Sequence, residues 1–288
     1  MDRLDMLKKR KKLIISFIVL VVLLTFAYVQ NNWLEVSHYA YKSAEVPQEF
    51  VGFRVVQISD FHNATFGKEN ERLLAKIREL EPDMVVLTGD FVDSGHTSIV
   101  LSLAFAEKVA ANYPTYYVTG NHENRLEEGE RSALLEGLEK VGVVCLFDEY
   151  VEIERNGSRI TLIGLNDESL GGMKLKVAEK TTGEPMLLTE NEDASGLQIL
   201  LAHEPQYIEN YSKYNVDLVF SGHAHGGQVR FPFIGGLIAP GQGLFPKYTE
   251  GVHLVNETTL IVSRGLGNSI VPVRVFNRPE IVCVELGR

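Results

Sequence analysis

The stretch VFSGHAHGGQVRFP, from Val219 to Pro232, places two histidines one residue apart at the end of an apolar run. The run is typical of a buried strand, and the glycines that follow it are typical of a sharp turn. Side chains at i and i+2 of an extended chain point to the same face, so His223 and His225 can reach a common partner. Imidazole is the commonest metal-ligating side chain, and the pair therefore predicts a metal site, provided that other ligands converge on it.

Further candidate ligands follow four other apolar runs, at the points where predicted strands end. The runs FRVVQIS, PDMVVLT, TYYVT and LQILLA are followed by the motifs DFH, GDFVD, GNHE and HEP. In open α/β sheets, ligands bind beyond the carboxyl ends of the strands. Each motif alone is typical of a turn or a helix cap, but together they predict one site built from five loops. The candidate residues are Asp60, His62, Asp90, Asp93, Asn121, His122, Glu123, His203, His223 and His225.

Amphipathic segments alternate with these strands. KENERLLAKIREL carries apolar residues at helical spacing, and IVLSLAFAEKVAAN and the residues near 130–141 predict two more helices. Asn156-Gly157, between two strand-like runs, is a strong hairpin signal. Residues 168–195 are polar and mixed, which predicts an insertion or loop with one short helix at most. The chain therefore predicts an α/β fold, and the hairpin with the late strands predicts a mixed second sheet.

The composition is that of an ordinary globular protein, with 45% hydrophobic and 23% charged residues. Residues 1–12 carry six basic and two acidic side chains, which leaves 22 basic against 36 acidic residues in the rest of the chain. Such an acidic body disfavours binding to nucleic acid, so no nucleic acid partner is expected. Cys145 and Cys283 lie in apolar runs without the spacing of a zinc-thiolate site, which predicts buried free thiols.

The N-terminus predicts a membrane anchor. Residues 13–29 are an uncharged and mostly apolar run that follows a basic cluster and precedes Trp33. As a helix, at about 1.5 Å per residue, this run spans roughly 26 Å of a hydrocarbon core ~30 Å thick. A cleaved signal peptide is the alternative, although no clear cleavage site follows Val29. With the positive side inside, we expect a cytoplasmic tail over 1–12, a single cell-membrane span over 13–33, a linker over 34–52 and an extracytoplasmic domain over 53–288.

The ordered set D-x-H, G-D-x-x-D, G-N-H-E, H and G-H-x-H resembles the calcineurin-like metallophosphoesterase family over roughly residues 53–286. GHAHGGQ and the tail SRGLGNSIVPVRVFNRPEIVCVEL resemble its membrane-anchored bacterial branch, some members of which are linked to cleavage of UDP-2,3-diacylglucosamine-type glycolipids. The resemblance implies a four-layer α/β/β/α sandwich of two mixed sheets flanked by helices, after one transmembrane helix. It also implies a phosphoesterase that uses two divalent ions (Mn, Fe, Zn or Ni) to activate water.

The resemblance further implies a role for each residue of the motifs. Metal ligands are implied at Asp60, His62 and His225 for one ion, at Asn121, His203 and His223 for the other, and at Asp90 for both. His122 is implied to be the catalytic residue that contacts the substrate without binding metal. Possible supporting or substrate-binding positions are Asn63, Asp93, Glu123 and Gly226.

Residues 229–248, VRFPFIGGLIAPGQGLFPKY, are apolar and rich in glycine and proline directly after the last motif. They either pack on the core as a loop or form an apolar lip that faces the bilayer or an acyl chain. A lip would suit a phosphorylated, lipid-linked substrate. The sequence leaves the substrate open among phosphomonoesters, phosphodiesters and the pyrophosphate of a UDP-diacylglucosamine-type glycolipid. A non-catalytic metal-binding scaffold on the same fold is the alternative of another class.

Overall fold

Two six-stranded β-sheets pack face to face in the computed structural model, which describes residues 3–167, 196–268 and 273–288. The apolar layer between the sheets is fully buried and contains Val55, Val86, Ile199, Phe220 and Val282. Each sheet mixes parallel and antiparallel pairs, which confirms the predicted pair of mixed sheets.

The first sheet has six strands: β1 (Glu35–Lys42), β2 (Arg54–Ile58), β3 (Met84–Thr88), β4 (Thr115–Val118), β5 (Val144–Cys145) and β16 (Glu280–Gly287). Their order across the sheet is β1-β16-β2-β3-β4-β5. β2 to β5 run parallel, with Val56 beside Val85 and Val86 beside Tyr116. The loops that follow these strands therefore leave from one edge of the sheet.

The second sheet also has six strands: β6 (Glu149–Arg155), β7 (Ser158–Gly164), β8 (Gln198–Leu201), β9 (Leu218–Ser221), β14 (Gly251–Val255) and β15 (Thr258–Val262). Their order is β14-β15-β9-β8-β7-β6, with β7, β8, β9 and β15 parallel. β6 and β7 form the predicted antiparallel hairpin. Asn156 and Gly157 both have positive φ at its turn, as a type I′ turn requires.

Three helices cover the outer face of the first sheet: α2 (Glu71–Leu80), α3 (Ile99–Ala110) and α4 (Glu128–Lys140). Their buried side chains, such as Ile77, Phe105 and Leu138, pack on that face. In the described part of the chain, the outer face of the second sheet packs against the short helix α5 (Ile208–Tyr211) and neighbouring loops. The predicted insertion at 168–195 lies outside the described residues.

The apolar N-terminal run is part of one long helix, α1 (Arg3–Asn32), which continues through the basic cluster that the sequence predicts to be a tail. Within Asp5–Asn32 an 18-residue stretch has a mean hydropathy of 2.6, and only 6% of that 18-residue stretch is buried in the protein. By length and composition the helix can cross a membrane.

The structure differs from the sequence prediction of a linker over 34–52. Glu35–Lys42 form β1, which pairs in parallel with β16 over eight residues, and Phe50 is buried in the core. The sequence EVSHYAYK does not predict this strand clearly. β1 lies at the edge of the sheet, where few side chains are buried, so the alternation of apolar and polar residues is weak. Only Trp33 and Leu34 separate α1 from the folded domain.

Residues 229–248 form two small antiparallel hairpins directly after the GHAHGGQ motif. Their strands are β10 (Arg230–Phe231) with β11 (Gly235–Gly236), and β12 (Ile238–Ala239) with β13 (Gly243–Leu244). Several of their apolar side chains are exposed, and Phe233 is fully so. The predicted alternative of a loop packed on the core therefore describes only part of the segment, such as buried Ala239.

Removing β1 tests its place in the folded domain. A chain that begins at Trp33 keeps β1, whereas one that begins at Ser43 loses the strand and the buried side chains Leu34 and Tyr41. Burial of one large apolar side chain contributes about 1.5–3 kcal/mol. We therefore expect the shorter chain to melt at least ~5 °C lower, as measured by differential scanning fluorimetry. Equal melting temperatures would show that β1 does not stabilise the domain.

Candidate metal centre

The five loops that carry the candidate ligands meet at one edge of the sandwich. Each loop begins where a parallel strand ends, so strand direction brings distant parts of the sequence together. The loops place Asp60 and His62 after β2, Asp90 after β3, Asn121 and His122 after β4, His203 after β8, and His223 and His225 after β9. The predicted site built from five loops is thus present as a geometric cluster.

A first group of donor atoms comes from Asp60, His62, Asp90 and His225, each of which offers an atom within 4.8 Å of the others. Nε2 of His62 lies 3.1 Å from Nε2 of His225 and 3.6 Å from Oδ2 of Asp90. Nε2 of His225 lies 3.4 Å from Oδ1 of Asp60. All four residues are buried, so their donor atoms are largely shielded from bulk solvent.

A second group comes from Asp90, His203 and His223, again within 4.8 Å. Nε2 of His203 lies 3.2 Å from Oδ2 of Asp90 and 3.3 Å from Nδ1 of His223. Nδ1 of His203 lies 2.8 Å from the carbonyl oxygen of Thr88 and can donate its proton there. This bond leaves the lone pair of Nε2 directed into the site, as in many metal-ligating histidines.

The side-chain amide of Asn121 completes the second group. Its oxygen lies 2.7 Å from Nδ1 of His223, and its nitrogen lies 3.2 Å from the guanidinium of Arg125. In the protein alone the opposite orientation would satisfy both neighbours, because the amide would then donate to His223 and accept from Arg125. The amide can turn over, and with its oxygen toward His223 that oxygen and Nδ1 of His223 could both offer lone pairs to a cation.

Burial sets the protonation of these groups. It lowers the pKa of His62 to about 4 and that of His223 to about 3, so both imidazoles are neutral near pH 7, as metal binding requires. Burial raises the pKa of Asp60 to about 6. Burial also opposes the charge on Asp90, but the neighbouring imidazoles, His203 first, hold its pKa well below the usual range.

The backbone at the candidate ligands is strained. Positive φ angles occur at Asp60 (48°), His62 (45°), Asp90 (50°), His223 (65°) and His225 (46°). Such conformations are uncommon outside glycine and concentrate at functional sites. Gly222 shows how close the loops come, since a Cβ there would collide with Ser59 Oγ and Asp60 Oδ2. The loops are therefore held in positions that the surrounding structure, and not local preference, determines.

Glu123 is fully buried and holds the loop that carries Asp90. Its carboxylate accepts hydrogen bonds from the backbone N–H groups of Asp90 (2.9 Å), Phe91 (2.7 Å), Val92 (3.1 Å) and Gly120 (2.7 Å). Burial and the nearby charge of Asp90 raise the pKa of Glu123 to about 8, while the N–H donors favour the ionised form. Glu123 thus has a supporting position, since it fixes the backbone of the loop that carries Asp90.

His122 lies at the rim of the same cluster, with its ring centroid 4.5 Å from that of His62. Its Nδ1 accepts a hydrogen bond from the backbone N–H of Ser94 at 3.1 Å. In the neutral ring the proton is therefore on Nε2, which lies 4.0 Å from Oδ2 of Asp90. His122 is in place to donate a hydrogen bond toward a ligand of the centre.

The other predicted positions brace the loops. Asn63 Oδ1 accepts from the N–H groups of Asp93 and Ser98, and its Nδ2 donates to Ser98 O and Ser102 Oγ, so its amide is fully engaged. Asp93 Oδ1 accepts the N–H of Gly95 at 2.7 Å and lies 4.0 Å from Nδ1 of His122. Gly226 has a φ of 61°, and a Cβ there would collide with Asn277.

A cleft of about 620 Å³ opens beside the second donor group, lined by Asn121 and His223. It is also lined by residues that the sequence reasoning missed: Arg125, Glu204, Gln206, Tyr207, Glu209 and Asn210. Arg125 follows the GNHE motif by two residues, and Glu204 directly follows His203. Their position next to a motif is the one feature of the sequence that points to these two residues as part of the cleft. No sequence pattern distinguishes them from ordinary surface residues.

The donor set fits a divalent transition metal. Imidazole nitrogens with carboxylate and amide oxygens, and without thiolate, suit such ions. Oδ2 of Asp60 is buried and has no hydrogen-bond partner among the described residues. An unpartnered buried carboxylate oxygen is costly, and a cation would remove that cost. The cluster could therefore bind metal.

Comparison with known proteins agrees with this chemistry. A model of the calcineurin-like phosphoesterase family matches residues 53–227. The chain is 30% identical to the uncharacterized metallophosphoesterase YkuE of Bacillus subtilis, over 90% of this chain and 87% of the relative. It is 26% identical to the phosphodiesterase YaeI of Escherichia coli, over 90% of both chains. It is also 29% identical to a transmembrane protein with a metallophosphoesterase domain from Danio rerio, over 84% of this chain and 55% of the relative.

The extent of the family match and the relatives that share most of its length agree with the buried aspartate and histidine cluster. The chain belongs to the calcineurin-like phosphoesterase family of metal-dependent hydrolases.

Proposed function

We propose that this protein is a membrane-anchored phosphoesterase that hydrolyses phosphate ester or pyrophosphate bonds with a pair of divalent ions. The observation that carries the proposal is the position of Oδ2 of Asp90, 3.6 Å from Nε2 of His62 and 3.2 Å from Nε2 of His203. A carboxylate shared by two ligand groups suits the two-metal sites of phosphatases, with ions about 3.5–4 Å apart. The proposed ligands are Asp60, His62 and His225 for one ion, Asn121, His203 and His223 for the other, and Asp90 for both.

The residues of the chain would hold the ligands in place and donate a hydrogen bond or a proton to the substrate, while the ions would activate the attacking water. When bound, two divalent ions such as Mn, Fe, Zn or Ni supply Lewis acidity and an activated water for in-line attack. Thr88 and Glu123 keep His203 and the Asp90 loop in place. His122, whose Nδ1 accepts from Ser94, presents Nε2–H to the transferring phosphoryl group or to the leaving oxygen.

Arg125 is the proposed anchor for a phosphate oxygen of the substrate. It is exposed, lines the cleft, and has its guanidinium beside the amide of Asn121. A guanidinium can bind two oxygens of one phosphate at once. An acidic protein needs such a local cation, together with bound metal, to attract an anionic substrate.

The membrane part of the proposal rests on α1 and on the distribution of charge. α1 is long and apolar enough to span a bilayer, and its basic residues lie at the N-terminal end. The positive-inside rule then favours a cytoplasmic N-terminus and an extracytoplasmic catalytic domain in the cell membrane. The transmembrane relative from Danio rerio supports an anchored arrangement without fixing its direction.

A UDP-2,3-diacylglucosamine-type glycolipid pyrophosphatase remains the second candidate, because the same chemistry cleaves a pyrophosphate. The proposed orientation opposes it, since a UDP-linked cytoplasmic intermediate would be out of reach of an external site. The candidate of another class, a metal-binding scaffold without turnover, is opposed by the complete ligand set and by His122.

Three variants of the full-length protein separate metal binding from catalysis. Asp90→Asn should lose bound metal and all hydrolysis of bis-p-nitrophenyl phosphate, because both ligand groups share this carboxylate. His122→Asn should keep its metal and lose about 10²–10⁴-fold in kcat, the usual contribution of a general acid or base. His96→Asn, in an exposed loop, is the matched control and should change neither. Elemental analysis and assays with added Mn measure both quantities, and bound metal with no turnover of any phosphoester would favour the scaffold.

Fusion of a reporter after Arg288 tests the orientation. Alkaline phosphatase fused there should be active in a bacterial cell and green fluorescent protein should be dark, because the C-terminus would lie outside. Replacing the lysines and arginines of residues 8–12 with glutamine should weaken this bias, since those charges hold the N-terminus inside. A bright fluorescent fusion with an inactive phosphatase fusion would place the domain in the cytoplasm.

A further inference from the structure

An exposed apolar surface lies next to the metal centre, on the two small hairpins and the loop 273–277. We call it the apolar rim, formed by Phe231, Phe233, Ile234, Leu244, Phe245 and Phe276. The hairpins and the loop are joined, because Val229 bridges to Val275 and the N–H of Arg230 donates to Val275 O at 2.9 Å. Within the described ranges, every exposed phenylalanine outside α1 belongs to the rim. Apolar surface concentrated in this way marks a contact with a partner or a membrane.

The rim holds its aromatic side chains outward at a conformational cost. Phe233, Phe245 and Phe276 have φ angles of 70°, 53° and 51°. A bulky residue is strained at such angles, whereas glycine or asparagine would adopt them more easily. Strained and exposed phenylalanines contribute little to the packing of the domain, which indicates that they serve an external contact.

The rim is continuous with the apolar surface of α1. The rings of Phe26 and Phe276 meet edge to face with centroids 5.4 Å apart. Gln30 Oε1 accepts the N–H of Asn277 at 3.1 Å, and Asn31 Oδ1 accepts from Nδ2 of Asn268 at 3.0 Å. Phe26 precedes the end of α1 at Asn32 by six residues, or roughly 9 Å along the helix. The rim therefore meets α1 at a level where the helix is still apolar.

The same loop connects the rim to the metal centre. Nδ2 of Asn277 donates to the carbonyls of His225 (2.7 Å) and Gln228 (3.0 Å). Between β12 and β13, Pro240 and Gly241 line the cleft beside His223. The end of α1, the rim and the cleft are thus joined by direct contacts. These contacts fix the distance between the cleft and the end of α1.

We propose that the apolar rim enters the lipid leaflet in which α1 ends, so that the cleft takes the phosphoester headgroup of a lipid in that leaflet. The chemistry of this inference rests on the proposed function, whereas the membrane contact rests on the rim itself. Residues at the end of α1 and next to the second hairpin in the sequence suit the headgroup region. Trp33 is exposed at the end of α1, Arg72 donates to Asn32 O at 2.9 Å, and Lys247 follows Phe245 by two residues.

Depth-dependent quenching tests the membrane contact without any assay of activity. In full-length protein with Trp33→Phe, the only native tryptophan is gone, and a single one is introduced as Phe233→Trp or, as a matched control, Leu254→Trp. Leu254 is 72% exposed on β14, outside the rim. In phosphatidylcholine vesicles with brominated acyl chains, Trp at 233 should lose roughly half or more of its emission, as expected for a side chain within the acyl boundary, and Trp at 254 little. Equal quenching at both positions, or none at 233, overturns the proposal and leaves a protein contact for the rim.

A pair of substrates with the same chromophore tests the consequence for the site. The triple variant Phe231→Ser, Phe233→Ser, Phe245→Ser should hydrolyse the p-nitrophenyl ester of phosphatidic acid in vesicles about tenfold or more slowly, since three apolar side chains that would be buried in the acyl chains are lost. It should hydrolyse soluble bis-p-nitrophenyl phosphate as the unchanged protein does. Val252→Ser with Leu254→Ser is the control for loss of exposed apolar surface elsewhere.

The outcomes separate the two proposals. Equal loss on both substrates, or no loss on the lipid ester, overturns the lipid-headgroup proposal while the phosphoesterase proposal stands. Absence of metal-dependent hydrolysis of either ester in the unchanged protein contradicts the phosphoesterase proposal and with it the lipid substrate. The quenching at residue 233 still decides the membrane contact in that case.

Discussion

The carboxylate of Asp90 carries a negative charge in a place where water does not solvate it, and the rest of the site is arranged around that constraint. Asp60 and Glu123 add two more buried carboxyl groups within the same set of loops. The ionised forms of three such groups repel one another, and burial disfavours them. For this reason the pKa values of Asp60 and Glu123 are raised, by burial first and by the charge of Asp90 in addition. Burial lowers the pKa of His203, but the charge of Asp90 outweighs it and raises that pKa well above its usual value, so His203 and the backbone N–H groups offset part of this cost. A bound cation would offset the remainder.

The fold meets this constraint by bringing strand ends together. Two parallel runs, one in each sheet, direct five loops to one edge, so that ligands far apart in the sequence come within 4.8 Å. β1 and the loop 273–277 then join this edge to α1 through β16 and Asn277. A helix that can span a membrane is therefore packed against the domain that holds the site and is not a separate tether.

Much of the site could be predicted from sequence, because each ligand motif directly follows an apolar strand. His62, His203 and His225 were all predictable from this local pattern. β1 was not, because its eight residues show weak alternation and their partner β16 lies more than two hundred residues away in the sequence. Arg125 and Glu204 lie next to motifs, but their place in the cleft depends on long-range packing, and so does the role of Asn277 as a brace. The apolar segment 229–248 was visible in the sequence, but its contact with α1 through Phe276 was not.

The position of the ions is the most direct test of the central claim. Crystals of the full-length protein grown with Mn²⁺, with data collected near the manganese absorption edge, would locate the metal by anomalous scattering. We predict two peaks about 3.5–4 Å apart on either side of Oδ2 of Asp90, one near His62 and His225 and the other near His203 and His223. A single peak, or peaks that avoid these side chains, would contradict a site in which Asp90 serves two metal ions.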